Sequence, residues 1–347
     1  MVQLQRLQAL LNGQKVDRVP LYHFMLGFCA KNVGYPLYYM YTDPEKSFQA
    51  QLWTFEQYGI EGGPDFGYAS YGGWEFGGEI KFPSKEWEQA PSHGSFAIKS
   101  EEDLKNLRLP NIKKDGMLPN AMEFSRLQEK YHTPITIIMG SCFTIAGNIC
   151  SVEQLCRWML RKPEAVHYLL RMANDHILEV VRHWVDTFGA EQVMPNFWEP
   201  LATNQIISPK QFEDFVLPYL KEASEKILAM GVKHILYHIC GEQNLNLPHW
   251  KKVPMGEPGL VSVGSQVDLN TAIDYFGDRC IIIGNIEPTL IQNGTPAQVY
   301  EACCQCIEKG KRAPYGYMLM SGCELPPSSP PYNVYMMQKS VEDFGWY

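Results

Sequence analysis

Leu4, Leu7, Leu10 and Leu11 recur at helical spacing and stop at Gly13, and an unbroken apolar run then extends from Val19 to Met25. The first pattern predicts an amphipathic helix and the second a buried strand. Asp43 before Pro44 is an N-cap with proline at the first helical position, and Phe48, Leu52 and Phe55 share one face of the helix that follows, up to Gly59. From about Ile60 to Ser100 the texture turns to glycine and aromatics (GGPDFGYASYGGWEFGG), and short alternating pieces at Glu79 to Phe82 and Ser95 to Lys99 predict a hairpin insertion.

Beyond the insertion the pattern becomes regular. A capping box at Ser100 and Asp103, a helix over Leu118 to Tyr131, the strand PITIIMG and helices from Ser151 to Phe188 broken at Pro163 open the series. Strands then follow at Gln192 to Phe197, Val232 to His238, Leu260 to Val263, Cys280 to Gly284 and Tyr317 to Met320. Helices are expected between them at Ser208 to Met230, Leu245 to Val253, Leu269 to Phe276 and Pro296 to Lys309, with a last one after the final strand. Strands beginning near Val19, Ile60, Pro134, Gln192, Val232, Leu260, Cys280 and Tyr317 number eight. The fold class expected is therefore α/β, a (β/α)8 TIM barrel with an N-terminal helix and an insertion at about 62 to 100 after the second strand. A doubly wound sheet competes, but no G-x-G-x-x-G follows the first strand. The whole chain, 1 to 347, reads as one barrel domain.

Composition narrows the function. With 45% hydrophobic and 20% charged residues the chain can bury a sizeable core, and its net charge of −8 lacks the basic excess that phosphate backbones attract. Nucleic acid is not an expected partner. No secretory leader or run of about 18 apolar residues is present, so no membrane association and a cytoplasmic location are expected. In that compartment the ten cysteines stay thiols, and Cys303, Cys304 and Cys306 on one helix read as packing residues.

In a barrel, catalytic groups lie at the C-terminal ends of strands. That rule selects His23 and Phe24, Ser141 and Cys142, Asn196 and Glu199, His238 and Cys240, Asn285 and Glu287, and Cys323 and Glu324. His238 and Cys240 alternate as strand-end residues do and point to one side, and Cys323 reaches the same mouth from the last strand. One imidazole and two thiolates suit zinc in tetrahedral N/S coordination, with the fourth position open to water or substrate. Taken without that placement, the same residues read as a packed histidine beside a buried cysteine. Glu199 and Glu287 are candidates for a fourth ligand or proton relay, with Glu199 and Asn196 the expected catalytic pair. Asn285, Glu287, His23 and Phe24 are substrate-pocket candidates. No His/Asp partner supports Cys142 as a nucleophile.

LNGQKVDRVP, FWEPLATNQIISPKQFEDFVLPYLKEASEKI, HICG, IIIGNIEPTLIQNGTPAQVYEAC and MLMSGCELPPSSPPYNV resemble the uroporphyrinogen decarboxylase superfamily over most of the chain. The H-x-C and later S-G-C-x-L-P resemble its corrinoid-dependent zinc methyltransferase branch, such as the methylcobamide:coenzyme M methyltransferases. The resemblance implies a TIM barrel, His238, Cys240 and Cys323 as zinc ligands, and methyl transfer to or from a corrinoid (cobalamin) carried by a partner protein. It leaves homodimer formation open. The decarboxylase branch needs arginines near the first strand, whereas YHFMLGFCAKNVGY contains none. Phe66, Tyr68, Tyr71, Trp74 and Phe76 in the glycine-rich insertion suggest a flat apolar pocket, with Tyr68 and Trp74 against the substrate. The expected methyl donor is thus an aryl methyl ether, the alternatives being a thiol acceptor of the coenzyme M type, uroporphyrinogen decarboxylation, or tetrapyrrole or corrinoid binding without catalysis.

Overall fold

The computed structural model describes residues 3–85 and 88–347. The insertion contributes a two-stranded antiparallel hairpin, β1 (Glu79–Lys81) with β2 (Ser92–Ser95). Its second arm begins three residues earlier than the sequence pattern predicts, because pairing runs through His93 and Ser92. Six parallel strands then lie side by side in chain order: β3 (Ile135–Gly140), β4 (Val193–Trp198), β5 (Leu236–Ile239), β6 (Gly259–Val263), β7 (Cys280–Ile286) and β8 (Tyr317–Ser321). Each is wholly buried, as expected of a parallel sheet covered by helices.

The first two predicted strands are present only as extended segments. Leu319 N–H donates to Pro20 O (2.9 Å), Tyr22 N–H to Leu319 O (2.8 Å) and Glu61 N–H to Leu21 O (2.7 Å), while the Thr136 hydroxyl donates to Asp65. These bonds carry the sheet from β8 around to β3 and close the barrel. Pro20 and Pro64 lack the N–H that a regular ladder uses, which fits the single isolated bridge, Leu21 with Leu319, in the run from Val19 to Met25 and the lack of a strand around Pro64.

Side-chain alternation divides the interior into two cores. Met194, Leu236, Leu260, Ile281, Ile283, Met318 and Met320 fill the barrel, plugged by Leu7 and Leu10 of the N-terminal helix Gln3–Leu11. Phe197, Tyr237, Ile239, Val261 and Ile282 face the surrounding helices. The helix Pro44–Tyr58 is capped by Asp43, which accepts from Lys46 N–H (3.0 Å), and ends at Gly59 in the left-handed region, φ 60°. The stretch from Ser208 forms Pro209–Gln211, a π-helical turn at Phe212–Val216 and Leu217–Ala229; the predicted helix over Leu245 to Val253 shrinks to Leu247–Trp250. Cys142–Cys150, Leu26–Asn32 and Pro288–Asn293 are helices that the hydrophobic pattern does not reveal. No described helix is long and apolar enough to cross a membrane.

Candidate metal centre at the barrel mouth

Period-two alternation along β5 puts Leu236 and His238 inside the barrel, and parallel pairing sets His238 beside Ser262 of β6. His238 is 4% exposed and its Nδ1 lies 2.8 Å from Ser262 Oγ. Its other nitrogen, Nε2, is buried and has no hydrogen-bond partner. Cys240 follows β5 and Cys323 follows β8. The loops carrying them each pack closely on the turn after β6: a Cβ at Gly264 would lie 2.9 Å from Gly241 N, and one at Gly322 would lie 2.7 Å from Ser265 N.

The candidate ligand atoms of His238, Cys240 and Cys323 all lie within 4.8 Å of one another. The thiols are polarised against each other. A hydrogen bond from Cys240 holds the Cys323 thiol down at about 4, while that same bond and burial push Cys240 well above the ordinary range. An orphaned imidazole nitrogen facing a thiolate and a thiol is the donor set zinc takes. These residues therefore fit the ion.

Beside the ring of His238 lies a small cavity lined by Tyr22, His23, Phe24, Asp65, Asn196 and Trp198 among others. Phe24 meets the imidazole edge-on at 5.4 Å and Trp198 at 6.4 Å. Asn196 Oδ1 accepts from Trp198 Nε1 (3.1 Å) and so fixes that indole. His23 and Asp65 face each other at 3.8 Å; burial pushes the imidazole down to about 3 and the carboxyl up to about 7, so near neutral pH the imidazole is neutral and the carboxyl is at its titration midpoint. Asp65 and Ser262 are absent from the sequence-based candidates, although Asp65 stands in an apolar, glycine-rich strand position where a buried acid is itself a signal.

The remaining candidates lie in other roles. Glu199 is fully buried and accepts from the Ser141 and Thr144 hydroxyls and from Phe143 N–H (3.2 Å) and Thr144 N–H (3.3 Å). Its carboxylate thus caps helix Cys142–Cys150 from the neighbouring strand, leaving it occupied rather than open to substrate. Asn285 donates to Gly264 O (2.9 Å) and Val267 O (2.6 Å), tying down the loop after β6. Glu287 is exposed, accepts from the Ser265 hydroxyl and caps helix Pro288–Asn293. Cys142 is buried and its thiol is pushed well above the usual range by desolvation.

The structure places the rings of the aromatic insertion away from the cavity beside His238. Phe66, Tyr68, Tyr71 and Phe76 belong to the outer core, and Tyr68 Oη donates to Glu75 Oε1 (2.9 Å). Tyr71 stacks on His176 with a 2.6 Å contact between Oη and Nε2. Trp74 is half-buried and packs edge-on against Phe82 at 5.8 Å, away from the residues lining the cavity beside His238. Apolar area drives Phe66, Tyr68, Tyr71 and Phe76 into the core, and the two tyrosine hydroxyls find partners there.

Comparison with known proteins sets this arrangement in a family. The family model described as uroporphyrinogen decarboxylase (URO-D) matches residues 3–344. The chain belongs to the uroporphyrinogen decarboxylase family. Among relatives, the methylcobamide:CoM methyltransferase MtbA of Methanosarcina acetivorans is 28% identical over 276 residues, covering 78% of this chain and 76% of that protein. A methylated-thiol–coenzyme M methyltransferase of Methanosarcina mazei is 26% identical over 204 residues, or 57% of this chain; the match spans about half, 52%, of that protein's length. A solved methyltransferase structure from Methanosarcina mazei superposes with a TM-score of 0.83 at 21% identity, covering 99% of both chains. That likeness bears on the fold, and it confirms a barrel of the URO-D type.

Proposed function

We propose that this URO-D family member is a zinc-dependent methyltransferase that moves a methyl group from the cobalt of a corrinoid, carried by a partner protein, to a small thiol. The observation that carries the reading is the convergence of His238, whose Nε2 is buried without a partner, with the Cys240 and Cys323 sulfurs, the candidate ligand atoms all lying within 4.8 Å of one another. His238, Cys240 and Cys323 would hold the ion. Zinc bound there would supply Lewis acidity that lowers the pKa of a substrate thiol and favours its thiolate. The reaction balances as RSH plus methyl-Co(III) giving RSCH3, Co(I) and a proton: the S–C bond forms as the Co–C bond breaks, whose electron pair stays on cobalt.

The chain's own groups prepare that step. Phe24 and Trp198 flank the imidazole edge-on and add apolar surface beside it. The neutral His23 and the half-protonated Asp65 place polar atoms beside the ring. Relatives named for methyl transfer to coenzyme M agree in reaction type. The aryl methyl ether reading rested on Phe66, Tyr68, Tyr71, Trp74 and Phe76, none of which lines the cavity beside His238, and that weakens its support. The segment YHFMLGFCAKNVGY, which lacks arginine, weighs against decarboxylation of a polycarboxylate.

Methyl transfer assays separate the directions. Free methylcobalamin with a panel of small thiols should yield thioether and cob(I)alamin in the presence of the zinc-loaded protein. Cob(I)alamin with methoxyaromatics should gain no methyl group. The reverse pattern would overturn the thiol reading in favour of O-demethylation.

A further inference from the structure

We infer that Ser262 is the positioning residue of the metal centre: its hydroxyl selects the imidazole tautomer and ring orientation that present His238 Nε2 to a cation. The inference rests on the zinc reading above and concerns a residue on a different strand from all three ligands.

Ser262 and His238 are register partners on β6 and β5, both pointing into the barrel, and Ser262 is 2% exposed. The contact between Ser262 Oγ and His238 Nδ1 is 2.8 Å, and it is the hydrogen bond found for that ring among the described residues. A neutral imidazole carries one proton. With it on Nδ1 and donated to Ser262 Oγ, the lone pair stands on Nε2, which is the atom left buried without a partner. Turning the ring over would take Nδ1 away from the hydroxyl and swing Nε2 out of its place. Phe24 and Trp198, each at an interplanar angle of 73° to the imidazole, wall the space in which the ring could turn. The neighbouring inward position of β6 is Leu260 and the outward ones are Val261 and Val263, so the serine stands alone as a polar residue in an apolar strand. Burying a hydroxyl there is unfavourable unless it is hydrogen-bonded, and the imidazole supplies that bond.

Partners of this kind fix the tautomer of a ligating histidine and raise its basicity, and their loss weakens metal affinity roughly 10- to 100-fold. Ser262→Ala should lower zinc affinity by that factor in chelator competition. Ser262→Thr, which keeps the hydroxyl on a strand that favours branched residues, should stay close to wild type. Nitrogen-15 NMR of the zinc-free protein supplies a second readout: His238 should be protonated at Nδ1 in the wild type and show mixed tautomers in Ser262→Ala. Circular dichroism should show both variants folded. Equal zinc affinity in Ser262→Ala and wild type, or an unchanged tautomer in the variant, would overturn the role of Ser262. Failure of the wild type to bind zinc while its Nδ1-protonated tautomer is present would instead overturn the zinc reading and, with it, the metal-positioning role.

Discussion

Replacing Glu199 separates an anchoring role from a catalytic one. Four donors converge on its carboxylate: the Ser141 hydroxyl, Phe143 N–H and Thr144 N–H at Oε2, and the Thr144 hydroxyl at Oε1. Burial pushes the carboxyl up while these donors pull it back. Glu199→Gln keeps an oxygen for three of the donors, and the Thr144 hydroxyl can turn to accept from the new amide. The loss is the charge assistance and the favourable interaction with the helix start, roughly 1–2 kcal/mol. Glu199→Ala strands all four donors in a fully buried site, which costs about 3–5 kcal/mol because each unsatisfied group costs about 1–3 kcal/mol and partial relaxation recovers some of it. Thermal melts should drop by on the order of 5–10 °C in the alanine variant and by a few degrees in the glutamine variant. Zinc content and methyl transfer by Glu199→Gln, measured well below its melting temperature, should stay within a few-fold of wild type. A glutamine variant that melts like wild type but has lost methyl transfer more than about 100-fold would refute the anchoring role and restore Glu199 to proton transfer.

Cysteine reactivity should follow the electrostatics described above. In zinc-free protein Cys323, held at about 4 by the Cys240 hydrogen bond, should react with iodoacetamide nearly as fast at pH 6 as at pH 8, whereas an ordinary thiol slows about tenfold per unit. The sign follows from a lowered pKa: the thiolate persists until the pH falls through about 4. Cys142 should remain unlabelled by mass spectrometry until the protein unfolds, and zinc should protect Cys323; labelling of folded Cys142 as fast as of Cys323 in zinc-free protein would contradict the first statement, and unchanged Cys323 labelling on zinc loading the second. Gly67→Ala should destabilise the fold by about 1–3 kcal/mol, since the added methyl would overlap the branched side chain of Ile138 on β3, which has no room to retreat. A melt matching wild type would show that the segment shifts freely.

Much of the barrel is legible in the sequence because parallel strands are buried on both faces and read as short apolar runs between capped helices. Gln3–Leu11, Pro44–Tyr58, Leu269–Phe276 and Pro296–Gly310 all lie where periodicity and caps place them. Helix Cys142–Cys150 escapes because all nine of its residues are buried, so no polar face marks its period. The first two strands are misjudged as ladders because apolar character reports burial, while prolines decide whether a ladder can form. The three candidate ligands are legible because their residue types and strand-end positions coincide. The roles of Tyr68 and Trp74 are not, since an aromatic side chain has the same sequence signature whether it lines a cavity or fills a core. Glu199 shows the same limit: its position at the end of β4 is readable, but the orphan N–H groups of the next helix that claim it are a matter of tertiary geometry.

The metal centre is tested most directly by elemental analysis of the purified protein beside Cys240→Ser and Cys323→Ala. About one zinc per chain is expected in the wild type, because one imidazole and two thiols converge at the barrel mouth. Both variants should lose most of it while keeping the circular dichroism of the wild type, since the apolar cores that hold the barrel lie apart from the mouth. Equal zinc in the wild type and both variants would contradict the assignment of His238, Cys240 and Cys323 as the metal site.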